Sequence, residues 1–179
     1  MIRIYSFNPE HFNNNGDQGN VAVLAAELAA AGEEHLFTSK LDEADFVLFG
    51  DASRAVMRHY SDELKAYKDK IKERYLQGLP TLLVGSCYEY FASTLGIEQR
   101  QIPRQSGFIH EEHFGYRNSD NDLKPVTKIG LFIATSLFGP FLAKNPKDLM
   151  ELLEGLGADP NLNPERMKWI EKIREVSGG

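Results

Sequence analysis

The chain has one cysteine, one tryptophan and eight prolines among 179 residues, and the scarcities exclude whole classes. A single thiol, Cys87, cannot close an internal disulfide, so a disulfide-stapled secreted scaffold is excluded and a reducing, cytoplasmic address is expected. Long hydrophobic runs are absent too. No stretch approaches the roughly 18 apolar residues of a membrane span, and Met1-Ile2-Arg3-Ile4-Tyr5 lacks the apolar core of a secretory leader. Basic charge is in deficit: 20 Lys and Arg stand against 26 Asp and Glu, for a formal net charge of −6. That balance opposes nucleic acid and anionic membranes as partners. No His, Cys or carboxylate spacing suggests a metal, and no glycine loop of the phosphate- or dinucleotide-binding kind is present, so no cofactor is expected.

What remains is an ordinary folded composition, 42% hydrophobic and 26% charged, of a length that suits one domain over 1–179. Ile2 to Phe7 reads as a first strand, and the Asn-, Asp- and Gly-rich stretch from Asn8 to Gly19 as a loop. Asn20 is expected to cap a helix that stops near Gly32. Glu34 to Thr38 reads as an edge strand, and Phe46–Phe49 and Thr81–Val84 as fully apolar strands of a parallel sheet. Leu64, Tyr67, Ile71 and Tyr75 predict one surface helix over Ser61 to Gln77, and a further helix should run from Cys87 to about Leu95. A strand is expected around Phe108 to His113 and another, buried, over Lys128 to Ala134. A helix with Leu149, Leu152, Leu153 and Leu156 on one face follows, then a last one opened by Pro164, with Met167, Ile170, Ile173 and Val176 inward. Strands alternating with helices predict an open, mostly parallel α/β sheet with right-handed crossovers.

Cys87 is the strongest site signal, because Gly85-Ser86-Cys87-Tyr88-Glu89 follows an apolar strand and precedes a helix. At such a strand–turn–helix elbow a side chain stands at the carboxyl edge of the sheet, where ligands of open α/β folds bind. The helix start would lower the thiol pKa and offer N–H groups to an oxyanion.

Four segments resemble a known family. They are Ile2-Arg3-Ile4-Tyr5 with Gly16-Asp17-Gln18-Gly19-Asn20; Asp45 to Gly50 with Pro80 to Tyr90; Phe114-Gly115-Tyr116 with Asn118 to Asp122; and Gly139-Pro140-Phe141-Leu142-Ala143-Lys144-Asn145-Pro146. Together they resemble a class I glutamine amidotransferase domain of the cobyric acid synthase type, most closely the glutaminase subunit of lipid II isoglutaminyl synthase. The resemblance implies a flavodoxin-like fold with a nucleophile elbow. It implies that Cys87 attacks the side-chain amide of glutamine, forming a thioester and releasing ammonia to a separate ATP-dependent, Mur-ligase-like synthetase. It further implies that Arg104 grips the substrate α-carboxylate, a task suited to a guanidinium fork, and that Ser86, Tyr88 and Gly50 line the substrate pocket.

Three departures qualify what the resemblance implies. The family's elbow reads Cys-Gly-Gly-Tyr-Gln, whereas here the cysteine lies between Ser86 and Tyr88. The stretch from Leu95 to Phe114 is short for the family. Where the family has Tyr-Leu-His-Gly-Pro, this chain has Ser136-Leu137-Phe138-Gly139-Pro140, so the expected histidine is Phe138. A positioned acid or base contributes roughly 10²–10⁴-fold, and a phenyl ring is neither. His110 and His113 are the candidate replacements, although on a strand they would point to opposite faces. The residues therefore admit a glutaminase, a catalytically silent relative that binds or regulates, or another cysteine chemistry helped by Glu89 or a histidine.

Overall fold

Alternate residues of each central strand enter two separate cores. From Phe46–Phe49 (β3), Phe46 and Leu48 pack on one face of the sheet and Val47 and Phe49 on the other. In Thr81–Val84 (β4), Leu82 and Val84 join the first core and Leu83 the second. Strands buried on both faces must be apolar throughout, which is why these segments are legible as runs. The computed structural model describes residues 1–177.

Strand Ile2–Ser6 (β1) pairs in parallel with His35–Phe37 (β2) and with β3; β3 pairs with β4, and β4 with Phe132–Thr135 (β8). Val126–Ile129 (β7) closes the far edge antiparallel to β8, for the order β2-β1-β3-β4-β8-β7. The parallel part has the flavodoxin-like order, with its switch point between β1 and β3. This is the open, mostly parallel α/β sheet the sequence predicts. Helix Gln18–Ala30 (α1), with the later Phe141–Lys144 (α6) and Pro146–Gly155 (α7), covers one face. Arg54–His59 (α2), Ser61–Ala66 (α3), Lys68–Gln77 (α4) and Ser86–Ala92 (α5) cover the other.

Several boundaries differ from expectation. The helix expected over Ser61 to Gln77 breaks at Tyr67, whose ring packs against Tyr5, Phe7 and Phe49. The strand expected over Lys128 to Ala134 is a hairpin, β7 and β8, turning at Gly130. Asn20 lies inside α1 rather than capping it: its Nδ2 donates to the Asp17 carbonyl, and its Oδ1 accepts the Leu142 N–H at 2.8 Å, tying α1 to α6. The largest difference is a ten-residue strand, Gln101–His110 (β5), antiparallel to Phe114–Asn121 (β6), with Leu137–Phe138 (β9) beyond it. No residue of β5 is buried, so its apolar pattern carried little signal. In the last helix, Pro164–Ser177 (α8), Ile170 is buried at 4% exposure, but Ile173 (43%) and Val176 (75%) face outward, contrary to the inward stripe expected.

Candidate functional site

The residue directly after β4 is Gly85, with φ 53° and ψ −116°. This is the strained position of a strand–turn–helix elbow, where a nucleophile would stand. Gly85 has no side chain to present. A Cβ built there would lie 2.4 Å from Asp51 Oδ1, so the carboxylate of Asp51 occupies the space.

Asp51 follows β3 by two residues and reaches across to β4. Its Oδ1 accepts the Ser86 N–H at 2.8 Å, and its Oδ2 accepts Asn14 Nδ2 at 3.1 Å and Asn15 Nδ2 at 2.8 Å. Its own N–H donates to Asp17 Oδ2 at 3.0 Å. The N–H after the elbow residue and an N–H from the loop after β3 are the donors that such folds aim at an oxyanion. Here both already serve carboxylates of the chain itself. Asp17 is fully buried, and burial, opposed by its backbone hydrogen bonds and reinforced by Asp51, pushes its carboxyl up to about 6; its Oδ1 has no partner.

Cys87 is placed two residues beyond the strained turn, inside α5 and fully buried among the α2–α5 core residues. This corrects the expectation of a thiol perched at the sheet edge. Helical geometry turns the residue after next inward, into the core that also holds Phe49 and Leu83, rather than up into solvent. Burial, then the Asp51 and Asp17 carboxylates, push the thiol well above its ordinary value, opposite to the lowering expected from a helix start.

The other expected site residues disperse. His113 packs on Phe141 and lies 3.3 Å from Asp148 Oδ2, on the face opposite to Cys87. His110 ends β5, exposed, against Phe108 and Phe114. Neither imidazole is brought to the thiol, because the sheet stands between the two cores. Tyr88 does not crowd a pocket: it is buried, its hydroxyl 2.7 Å from Thr127 Oγ1. Gly50 serves close packing, since a Cβ there would lie 2.0 Å from the Phe12 carbonyl oxygen. Ser86 Oγ accepts the Ala52 N–H at 2.9 Å. Arg104, largely exposed on β5, reaches 3.6 Å from Asp120 Oδ2, to which Arg54 also comes within 3.5 Å. Phe138 contributes its carbonyl, which accepts Lys144 Nζ at 2.6 Å.

Two separated segments of the sequence do converge. Gly19 abuts Pro140, where a Cβ would lie 2.6 Å from Cγ, and Asn20 holds Leu142 as described. Asn145 takes the Phe114 N–H on Oδ1 at 2.7 Å and returns Nδ2 to the Phe114 carbonyl at 3.0 Å, fixing the turn end of the β5–β6 hairpin.

No family model matches the chain, and no curated protein matches its sequence. Among solved structures it is similar to a glutamine amidotransferase from Thermotoga maritima, at 14% identity and a TM-score of 0.48, over 98% of this chain and 92% of that one. It is also similar to a putative GMP synthase component from Thermoplasma acidophilum, at 13% identity and a TM-score of 0.46, over 100% and 98%.

Beside the elbow lies a cleft of about 400 Å³, lined by Arg54, Met57 and Arg58 of α2 and by Ser86, Glu89 and Tyr90 of α5. Burial raises the Glu89 carboxyl, whose Oε1 accepts Asn121 Nδ2 at 2.7 Å. Asp51 is not singled out by the sequence as a site residue, and Asp17 figures there only within the loop from Asn8 to Gly19 and the motif Gly16-Asp17-Gln18-Gly19-Asn20. The signal available was position: in an elbow the residue immediately after the apolar strand is the strained one, and that residue is Gly85. Among the described residues no group of three or more His, Cys, Asp and Glu side chains is placed to hold a metal ion, and no helix is long and apolar enough to cross a membrane.

Proposed function

We propose that the chain is a glutamine amidotransferase-like domain of the cobyric acid synthase type, related to the glutaminase subunit of lipid II isoglutaminyl synthase, that does not hydrolyse glutamine and serves a binding or regulatory role. The observation behind this reading is the closed elbow. Gly85 offers no nucleophile, and Asp51 and Asp17 accept the two N–H groups that would otherwise meet a developing oxyanion. Acyl transfer needs a nucleophile, a proton carrier and free donors together, and removing one donor alone costs roughly 10²–10³ in rate. A buried thiol held in its neutral form does not substitute, since the thiolate is the attacking species. The four resembling segments and the parallel strand order support the kinship. A separate ATP-dependent synthetase is the partner this reading favours, because the resembling subunit works beside one.

The test is to incubate the purified chain with glutamine, with and without a Mur-ligase-like synthetase, and to measure ammonia beside a Cys87→Ala control. Wild type and control are expected to give the same background. Ammonia from the wild type that the control does not produce would sink the reading and restore Cys87 as a nucleophile.

A further inference from the structure

The cleft between α2 and α5 stays open although the elbow beside it is closed, and two arginines of α2 line it. Arg54 and Arg58 stand one turn apart on α2, so their side chains leave the helix on the same side. Arg54 and Arg104 share a single oxygen of Asp120, at 3.5 and 3.6 Å, and among the described residues Arg58 has no ion-pair partner. Of the charged side chains that line the cleft, Arg54 and Arg58 are cationic and Glu89 is acidic, with the carboxylates of Asp51 and Asp120 near Glu89. Glu89 is tied on the opposite wall by Asn121, which leaves the α2 side as the place for an anion. Met57 and Tyr90 supply an apolar wall. The volume lies within the range of small-molecule sites, and the pattern of an apolar body with a few charged groups at one end is the usual one.

We propose that this cleft binds a small carboxylic acid with an apolar body, its carboxylate against Arg54 and Arg58 and its hydrocarbon against Met57 and Tyr90. The inference rests on the non-hydrolytic reading in one respect: with both elbow N–H groups occupied, an amide end on the ligand finds no donor there, so a hydrocarbon end is the better fit. Arginine forks hold carboxylates through charge-assisted hydrogen bonds, which are stronger than neutral ones.

The experiment is calorimetric titration of the full chain with isocaproate, isocaproamide, isoamylamine and glutamine. Isocaproate is expected to bind, glutamine to bind more weakly, and the neutral amide and the amine not to bind. Arg58→Ala and Arg54→Ala are each expected to weaken isocaproate roughly tenfold, Arg58→Lys less, and added salt to weaken it further. Both arginines are exposed, so folding should survive, and circular dichroism checks that. Equal binding of isocaproamide, tighter binding of glutamine, unchanged affinity in Arg58→Ala, or no isocaproate binding at millimolar concentration would each overturn the inference. Ammonia appearing in the glutamine arm would instead overturn the non-hydrolytic reading, so the two failures are told apart.

Discussion

Gly85 holds a backbone conformation that residues with a side chain rarely adopt, and the carboxylate of Asp51 fills the space a Cβ would need. Gly85→Ala is therefore expected to cost about 3 kcal/mol, from backbone strain and the clash together. Urea denaturation checks this, and in an Asp51→Ala background the same change should cost at least about 1 kcal/mol less, because the two sites share one space. Asp17 gives a pH signature. Its carboxyl titrates near 6 in the folded chain against 3.8 ordinarily, so between these values the native state holds a proton the unfolded state has lost. Stability then falls as pH rises through that window, by roughly 3 kcal/mol once both states are ionised. Asp17→Asn keeps an oxygen for the Asp51 N–H and removes the charge. Its unfolding free energy is expected to exceed that of the wild type increasingly from pH 4 to pH 6, then to stay level. A difference independent of pH would contradict the assignment.

Helix α4 shows how one side chain can join several elements. Arg74 is buried and donates from Nε to Thr81 Oγ1, from Nη1 to the Ala44 carbonyl, and from Nη2 to the Asp45 and Pro80 carbonyls. It fastens α4 to the starts of β3 and β4. Arg74→Met leaves those carbonyls without their donor and is expected to cost about 2–4 kcal/mol, read from the shift in urea midpoint. The hairpin is the opposite case: β5 makes its ladder with β6 alone and buries no residue. Amides of Gln101–His110 are expected to exchange with solvent orders of magnitude faster than those of Phe46–Phe49. Equal protection in a hydrogen-exchange measurement would show that β5 is anchored beyond its pairing. The same contrast explains legibility. Segments buried on both faces stand out in the sequence as apolar runs, whereas β5 is held mainly by backbone pairing, with Ile109 packed on a core, and the sequence marks it only near Phe108.

For the whole molecule, the two cores on either side of the sheet decide which groups can meet. Cys87 lies in one and the contacts of His113 in the other, so a dyad that spacing alone permitted is blocked by an intervening layer of strands. The burial of Cys87 also makes it a reporter of opening. A thiol reagent is expected to label it fully in urea and scarcely at all in native buffer, with a rate that follows the unfolding transition. Rapid native labelling would place the sulfur at the surface after all.

The open, mostly parallel sheet, the two-faced burial of β3 and β4, and an elbow after Thr81–Val84 were all present in the sequence, because each rests on local periodicity and turn chemistry. So was a phenylalanine, Phe138, at the place where the family that the sequence resembles has a histidine. Which residue of Gly85-Ser86-Cys87 occupies the strained turn was not, since a shift of two positions leaves the local pattern almost unchanged and yet moves a side chain from the cleft into the core. That Asp51, 34 residues away in the chain, closes the elbow was decided by the pairing of β3 with β4. Only tertiary packing brings one strand's end over another's, and with it a carboxylate to the place where a nucleophile would otherwise stand.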